Sequence, residues 1–550
     1  MTLVHEKYVK EQYNEDGRLC KIDFNVDENY NFGFDVVDEV AKKTPNKPAM
    51  IWLSNDKKKE IVFTYDDIMR YSNMTANYFK SLGIKKGDAV LLVLKRHYQF
   101  WFSMLALHKI GAIAVPATNQ LMKSDFVYRI NTASIKMVVM TSDGDVYKQC
   151  DEAIRETDFV KVKVITGEVD GWNNFDEGIK AHSDVFERPC GEDMPKRDEI
   201  MLMYFTSGTT SYPKLVEHAH TYSLGHLVTA KHWHNVDSDG VHFTISDTGW
   251  GKAAWGKLYG QWLCETCIMT YDFDRFEPSE ILPLFKKYNI TTFCAPPTMY
   301  RFFIKEDLSK YDFSSLKYAT VAGEALNPEV FNKFYESTNI KLMEGFGQTE
   351  TTLTIGNFVG DEPKLGSMGK PNPQYDIVLV NENGDEVSTG LVGEIAVRLK
   401  KDEIIIGLFK GYHNDEQATN RVCHDGLYHT GDTAWKDENG YFWYEGRTDD
   451  LIKTSGYRVA PFEIESVIMQ LPYVLECAVT GVPDEVRGQV IKATIVLITG
   501  QEASEELKKE VQDYVKTHTA PYKYPRIVDF VKDLPKTISG KIQRAVIRNS

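Results

Sequence analysis

Eight short runs, at 89–94, 112–116, 137–141, 162–166, 200–205, 241–246, 291–295 and 318–321, are rich in strand-forming residues, and several are apolar throughout rather than alternating. Strands acquire that pattern when both faces of their sheet are covered, which favours parallel pairing with helices on each side. Segments between them, such as 67–82, carry helical periodicity, so the alternation predicts α/β layering with mostly parallel sheets. From about residue 375 the texture changes to strand, an Asn383-Gly384 turn, and strand again. That is the pattern of a small antiparallel unit, and it closes near 441–445. The polar stretch Gly446-Arg447-Thr448-Asp449-Asp450 then opens a last unit with strand patterns at 477–480 and 493–498 and a helical one at 504–516. We expect a large N-terminal domain over 1–446 with its β subdomain at 375–446, a hinge at 447–450, and a smaller α+β C-terminal domain over 451–550.

Composition removes several function classes. With 42% apolar and 26% charged side chains in 550 residues, the chain lacks the depletion of bulky apolar residues that marks disorder. A net charge of −15 opposes nucleic acid and anionic lipid, so the expected partner is a small molecule. The most apolar stretch, 100–117, holds His108 and Lys109, fails as a membrane span, and reads as a buried helix plus strand. The first residues show neither the apolar core of a signal peptide nor the acid-poor character of a transit peptide, which predicts a cytoplasmic location. Of eight cysteines, Cys264 and Cys267 form the one close pair; without a second pair they read as small buried hydrophobes rather than zinc ligands.

The strand at 200–205 runs into Thr206-Ser207-Gly208-Thr209-Thr210-Ser211-Tyr212-Pro213-Lys214. Backbone N–H groups, hydroxyls and one lysine in a loop after a strand suit a phosphate chain. Gly208 and Lys214 keep the Gly-to-Lys spacing of the nucleotide-triphosphatase loop, but Pro213 replaces its second glycine and Leu215 its magnesium-binding hydroxyl. Taken alone, the pattern fits a flexible surface loop as well as a phosphate loop.

The same stretch resembles the phosphate loop of the adenylate-forming enzymes, which include acyl-CoA synthetases, luciferases and peptide-synthetase adenylation domains. Four further segments agree, in order. Glu344-Gly345-Phe346-Gly347-Gln348-Thr349-Glu350 resembles the family's adenine and magnesium motif, and Tyr428-His429-Thr430-Gly431-Asp432 its ribose motif. Residues 446–453, GRTDDLIK, resemble the hinge motif, and residues 535–541, PKTISGK, the C-terminal lysine motif. Ser211 departs from the family's usual glycine, which bears on how freely that loop flexes. With Leu215-Val216-Glu217-His218 after the loop, the likeness is greatest to the medium-chain acyl-CoA synthetase branch.

This resemblance implies an ATP-dependent carboxylate–CoA ligase working through an acyl-adenylate on short-chain, medium-chain or branched fatty acids, with ATP, Mg2+ and coenzyme A as cofactors. The loop from Thr206 to Lys214 would hold the triphosphate, with Thr209 and Lys214 taking part in catalysis. Glu350 offers a hard oxygen to magnesium. Phe346, between Gly345 and Gly347, offers a ring for adenine, and Gly323-Glu324-Ala325 would complete that pocket. Asp432 can accept both ribose hydroxyls, and Arg447 can donate from the hinge side. Asp449 resembles the pivot that swings the C-terminal domain, and Lys541 the lysine bridging acyl carboxylate and α-phosphate. Ser455, Gly456, Tyr457 and Arg458 would line the approach of coenzyme A, with Arg487 on its phosphates. Trp250, Lys252, Trp255, Cys294 and Gly347 would shape the acyl pocket. For each residue alone, a solvated charge or a packed ring is the ordinary meaning. Two alternatives stand beside the ligase: an adenylation enzyme loading an amino or aryl acid onto a carrier, and a nucleotide or acyl-CoA sensor without turnover.

Overall fold

The computed structural model describes residues 2–206, 213–324, 326–400, 403–454, 457–536 and 542–549, the side chains of Arg458 and Asn549 excepted. All eight apolar runs form strands. Five lie in an eight-stranded sheet whose order is Gly411–Tyr412, Leu215–Ala219, Ile200–Phe205, Ile113–Pro116, Ala89–Val93, Met137–Met140, Val162–Ile165, Asn173–Asn174. Pairing is parallel from Ile200–Phe205 onward and antiparallel at the Leu215–Ala219 edge. Along Ala89–Val93 the side chains of Val90 and Leu92 enter one apolar core while Ala89, Leu91 and Val93 enter another. Both faces are covered, which is why the run does not alternate.

Helix Gln99–Ile110 is buried at every position, inside the core shared by this sheet and the next. Its polar residues survive there by pairing. Lys109 Nζ donates to Asp38 Oδ1 (2.7 Å), Asn73 Oδ1 (2.7 Å) and Ser72 Oγ (2.9 Å), and His108 Nε2 lies 2.9 Å from the Tyr259 hydroxyl. A buried lysine is tolerated only with such a shell. The helix at 67–82 forms as Tyr65–Ser81, capped where Thr64 Oγ1 accepts the Asp67 N–H (3.1 Å) and Asp67 Oδ2 accepts the Thr64 N–H (2.9 Å).

The second sheet differs from expectation in its extent. Leu342–Gly347, Tyr318–Ala322, Thr292–Ala295, Val241–Thr244, Cys267–Tyr271 and Pro48–Leu53 pair in parallel. The antiparallel unit is not a separate layer: through Leu353–Gly356 and Ser367–Pro371 it continues the same 14-stranded sheet into Phe442–Arg447, Leu427–Lys436, Gly393–Arg398 and Ile377–Val380. Leu353 and Ile355 are fully buried, so the bridging strand packs as core rather than as a surface linker. A five-stranded sheet, Tyr457–Val459, Ile452–Thr454, Gly488–Leu497, Val474–Asp484 and Ile527–Val531, carries helices Pro461–Ile468 and Glu505–His518 in the C-terminal part. Among the described residues no helix is long and apolar enough to cross a membrane. Cys264 and Cys267 are both buried and unbridged, and burial pushes their thiols up to about 12.

Candidate active site

Residues from both large sheets meet at the carboxyl ends of the parallel strands, where open α/β sheets hold ligands. Ser207, Gly208, Thr209, Thr210, Ser211 and Tyr212 lie outside the described residues, but the base of their loop is fixed. The Thr206 N–H donates to the Lys214 carbonyl (2.8 Å), the Lys214 N–H to Thr206 Oγ1 (3.0 Å), and the Tyr128 hydroxyl to the Pro213 carbonyl (2.7 Å). The strands on either side, Ile200–Phe205 and Leu215–Ala219, pair antiparallel.

Lys214 Nζ sits 4.5 Å above the ring of Tyr412, whose hydroxyl donates to Glu350 Oε1 (2.8 Å). Burial raises the Glu350 carboxyl above its usual range, and the Tyr412 hydrogen bond opposes that rise. One half-buried carboxylate with a neutral hydroxyl donor is a donor set that suits Mg2+, which takes few protein oxygens and fills its shell from phosphate and water. Among the described residues no group of three or more His, Cys, Asp or Glu converges as a complete protein cage.

A second constellation surrounds Asp432. Its Oδ1 accepts the Tyr444 hydroxyl (3.0 Å); its Oδ2 accepts Arg447 Nη1 (3.3 Å) and Gln348 Nε2. The Gln348 amide is held twice more, donating to the Thr430 carbonyl (2.8 Å) and accepting the Tyr428 hydroxyl (2.6 Å). The aspartate is presented from a fixed frame because Leu427–Lys436 and Phe442–Arg447 place Asp432 directly opposite Arg447. Phe346 is half-buried with its ring 6.1 Å from that of Tyr444. Asp449 contacts Arg447 Nε at 3.4 Å, whereas Asp450 is tied to the C-terminal helix Arg544–Asn549 by Arg548 Nη2 (2.9 Å).

Trp255, Trp233, Cys294, Ala322 and Leu353 form one buried apolar cluster, the two indoles meeting edge to face at 6.3 Å. Gly347 borders it. A Cβ there would lie 2.4 Å from the Trp255 ring and 2.6 Å from the Thr352 carbonyl, so the position requires glycine. Lys252 Nζ donates to the Ala322 carbonyl (2.7 Å), fixing helix Gly251–Gly256 against the strand end, and Trp250 is half-buried at the start of that helix.

Other expected residues fall elsewhere. The Glu344 carboxyl turns into the interior, where Oε1 accepts the Leu326 N–H (3.2 Å) and burial pushes it up to about 8. Gly323 adopts φ +110°, a turn open to glycine, but the Glu324 carboxylate is engaged by Thr298 Oγ1 (3.0 Å) and Arg301 Nη2 (3.3 Å), and Ala325 is outside the described residues. The Thr349 carbonyl accepts from His218 Nε2 (2.8 Å). Ser455, Gly456 and Lys541 are outside the described residues, as is the Arg458 side chain. Tyr457 is exposed and stacks on Tyr522 at 4.1 Å; Arg487 lies in the turn between Val474–Asp484 and Gly488–Leu497, its N–H held by Asp484 (2.8 Å). Tyr412, Tyr444 and Trp233 join the site without having been singled out, and His218, noted only as part of the segment after the loop, joins it through the Thr349 carbonyl. For Tyr412 and Trp233 no local pattern signals the role; it arises from pairing across the fold.

Glu344 gives a stability prediction. Between about pH 4.5 and 8 the folded chain keeps a proton there that the unfolded chain loses, so stability falls as pH rises, by at most about 1.4 kcal/mol per unit. Glu344→Gln cannot ionise and removes that slope, so denaturant melts should find the variant gaining on the parent from pH 5 to pH 8.

Residues 37–413 match the AMP-binding enzyme family and residues 463–541 its C-terminal domain. The chain is 37% identical over 541 residues to acyl-coenzyme A synthetase ACSM3, mitochondrial, of Mus musculus, covering 96% of this chain and 92% of the relative. It is 38% identical to ACSM4, mitochondrial, of the same organism, covering 95% and 90%. Among solved structures, an anthranilate CoA ligase, AuaEII, in complex with anthranoyl-AMP superposes with a TM-score of 0.86 at 27% identity, covering 95% of this chain and 98% of that one. A Brucella canis acyl-CoA synthetase gives 0.72 at 28%, covering 96% and 95%. The frame around Asp432, the Glu350–Tyr412–Lys214 group and the glycine-bordered cluster are thus set in a shared scaffold, and the chain belongs to the AMP-binding enzyme family, among its acyl-coenzyme A synthetases.

Proposed function

We propose that this chain joins a medium-chain or branched carboxylic acid to coenzyme A at the expense of ATP. The observation that carries the reading is the meeting of the phosphate-loop base, the Glu350 carboxylate, the Asp432 frame and the Trp255 cluster at one sheet rim. In the first step a carboxylate oxygen attacks the α-phosphorus and pyrophosphate leaves. Lys541 would hold the two approaching anions, and Lys214 and the loop hydroxyls would take the phosphate charge. Asp432, set by Tyr444 and Gln348, would accept the ribose hydroxyls, with Arg447 beside it. Bound Mg2+ supplies further neutralisation of phosphate charge, and Glu350 is the residue that would hold it. Rotation about Asp449 would then withdraw Lys541 and present the 455–458 segment, so that the CoA sulfur attacks the acyl carbon, loses its proton, and AMP departs. Trp233 and Trp255, both buried, would limit the length of chain the acyl pocket accepts.

The test is ATP–pyrophosphate exchange across straight, branched, aromatic and amino acids, with hits repeated in the presence of CoA. Exchange peaking on medium or branched acids, followed by thioester, is the expected result. Exchange on amino or aryl acids without thioester supports carrier loading instead, and ATP binding without exchange on any acid supports the sensor.

We also assign the chain to the cytoplasm, although the mouse relatives are mitochondrial by name. Val4, His5, Tyr8 and Val9 are buried in the folded body, where the Val4 N–H donates to Glu265 (3.0 Å). Fractionation of cells expressing the full chain tests the assignment.

A further inference from the structure

A concavity of about 330 Å³ lies away from the Trp255 cluster, between the β subdomain and the C-terminal part. Its volume is at the lower end of small-molecule sites, roughly 300–1,000 Å³. One wall is aromatic. Trp435 and Trp443 are direct cross-strand partners on Leu427–Lys436 and Phe442–Arg447, their indoles stack, parallel within 5° at 5.2 Å, and both residues line the cleft. The opposite wall comes from helices Pro461–Ile468 and Glu505–His518, through Phe462, Glu463 and His518.

The charges in the cleft do not balance. Glu463 is held by Lys523 Nζ (2.6 Å), whereas Glu445, which also lines the cleft, has no ion pair among the described residues. Burial first, and then the nearby charge of Glu463, push the Glu445 carboxyl up to about 7, against the opposing charge of Lys523 and a hydrogen bond from the Trp435 side chain. Two carboxylates, Glu445 and Glu463, thus share the single lysine Lys523 beside a stacked pair of indoles, which leaves the cleft short of one positive charge. The missing complement is a cation whose body is apolar, because indoles attract such a charge and also bury the carbon around it. A strongly hydrated metal ion would use the carboxylate and waste the aromatic wall.

We propose that this cleft binds an organic cation of the alkylammonium class, its charged head against the Trp443 indole and the Glu445 carboxylate. The lining is drawn from both sides of residues 447–450, so occupancy would favour the domain arrangement seen here; that consequence rests on the hinge reading, while the binding itself does not.

The test titrates the full chain, without substrates, with choline chloride and with its neutral isostere 3,3-dimethylbutan-1-ol, by calorimetry and by saturation-transfer NMR. Saturable choline binding is expected, roughly tenfold tighter than the alcohol. Trp443→Leu and Glu445→Gln should each weaken choline about fivefold or more, with thermal melting and ATP–pyrophosphate exchange in the absence of choline retained. Equal binding of choline and alcohol, no saturable choline binding, or choline affinity unchanged in both variants would overturn the proposal. Intact exchange in those variants keeps such a failure distinct from a failure of the ligase assignment.

Discussion

Lys541→Ala lowers ATP–pyrophosphate exchange by about a thousandfold, yet the variant still forms thioester from supplied acyl-adenylate and CoA. The asymmetry follows from where the charge is needed. Attack of a carboxylate on a phosphate brings two anions together, and a cation touching both is worth more in that transition state than in the ground state. Attack of a thiolate on an adenylate releases AMP and makes no such demand. The helix Arg544–Asn549 that follows in the chain is fastened by Arg548 and Arg544 to Asp450 and by Arg544 to Glu465. Rates for the two half-reactions, measured separately, decide the matter. Equal loss in both would show that the lysine serves one common state, and the rotation about Asp449 would lose its support.

The second large effect belongs to Glu350→Gln, expected to cost exchange about a hundredfold to a thousandfold while leaving the melting temperature nearly unchanged. An amide oxygen can still accept the Tyr412 hydroxyl, so the local packing survives. What disappears is the negative charge that would hold Mg2+. Because burial raises the Glu350 carboxyl, the parent enzyme should gain exchange activity as pH climbs through that raised value, and the glutamine variant should show no such rise. Exchange measured against Mg2+ concentration over a range of pH provides the check. A variant with the parent's Mg2+ dependence would move the metal to another ligand.

Local pattern was most informative where a segment's fate depends on its immediate surroundings. The runs at 89–94 and 137–141 announced doubly covered strands, and each residue of Ala89–Val93 does face one of two cores. Likewise Asp432, Gln348 and Glu350 belong to contiguous motifs that hairpins and strand ends present together. Residues that act by crossing the fold left no such trace. Tyr412 reaches Glu350 because Gly411–Tyr412 adds to the edge of a sheet begun far upstream. Trp233 reaches the Trp255 cluster from the helical turn Val228–Trp233, where five of six residues are buried and nothing in the local pattern sets the tryptophan apart from core. Glu344 lies within the adenine motif and, two residues from Phe346, on the same strand face, yet its carboxyl is buried against the Leu326 N–H, a partner brought in from another part of the chain. The continuity of the 14-stranded sheet was equally hidden: a change from parallel to antiparallel pairing looks like a domain boundary in sequence, whereas Leu353–Gly356 and Ser367–Pro371 simply carry the ladder across it.

The closure of the eight-stranded sheet by Gly411–Tyr412 also sets a schedule for synthesis. When the ribosome has made the strand Leu215–Ala219, its outer edge has no partner until residues 411 and 412 arrive to pair with Glu217 and Val216. At ordinary translation rates that interval is roughly 10–40 s. Throughout it the nascent chain carries an open strand edge along Leu215–Ala219, the kind of surface on which newly made chains join one another. Chaperone demand during production should therefore peak before residue 411 is made and fall once it has emerged.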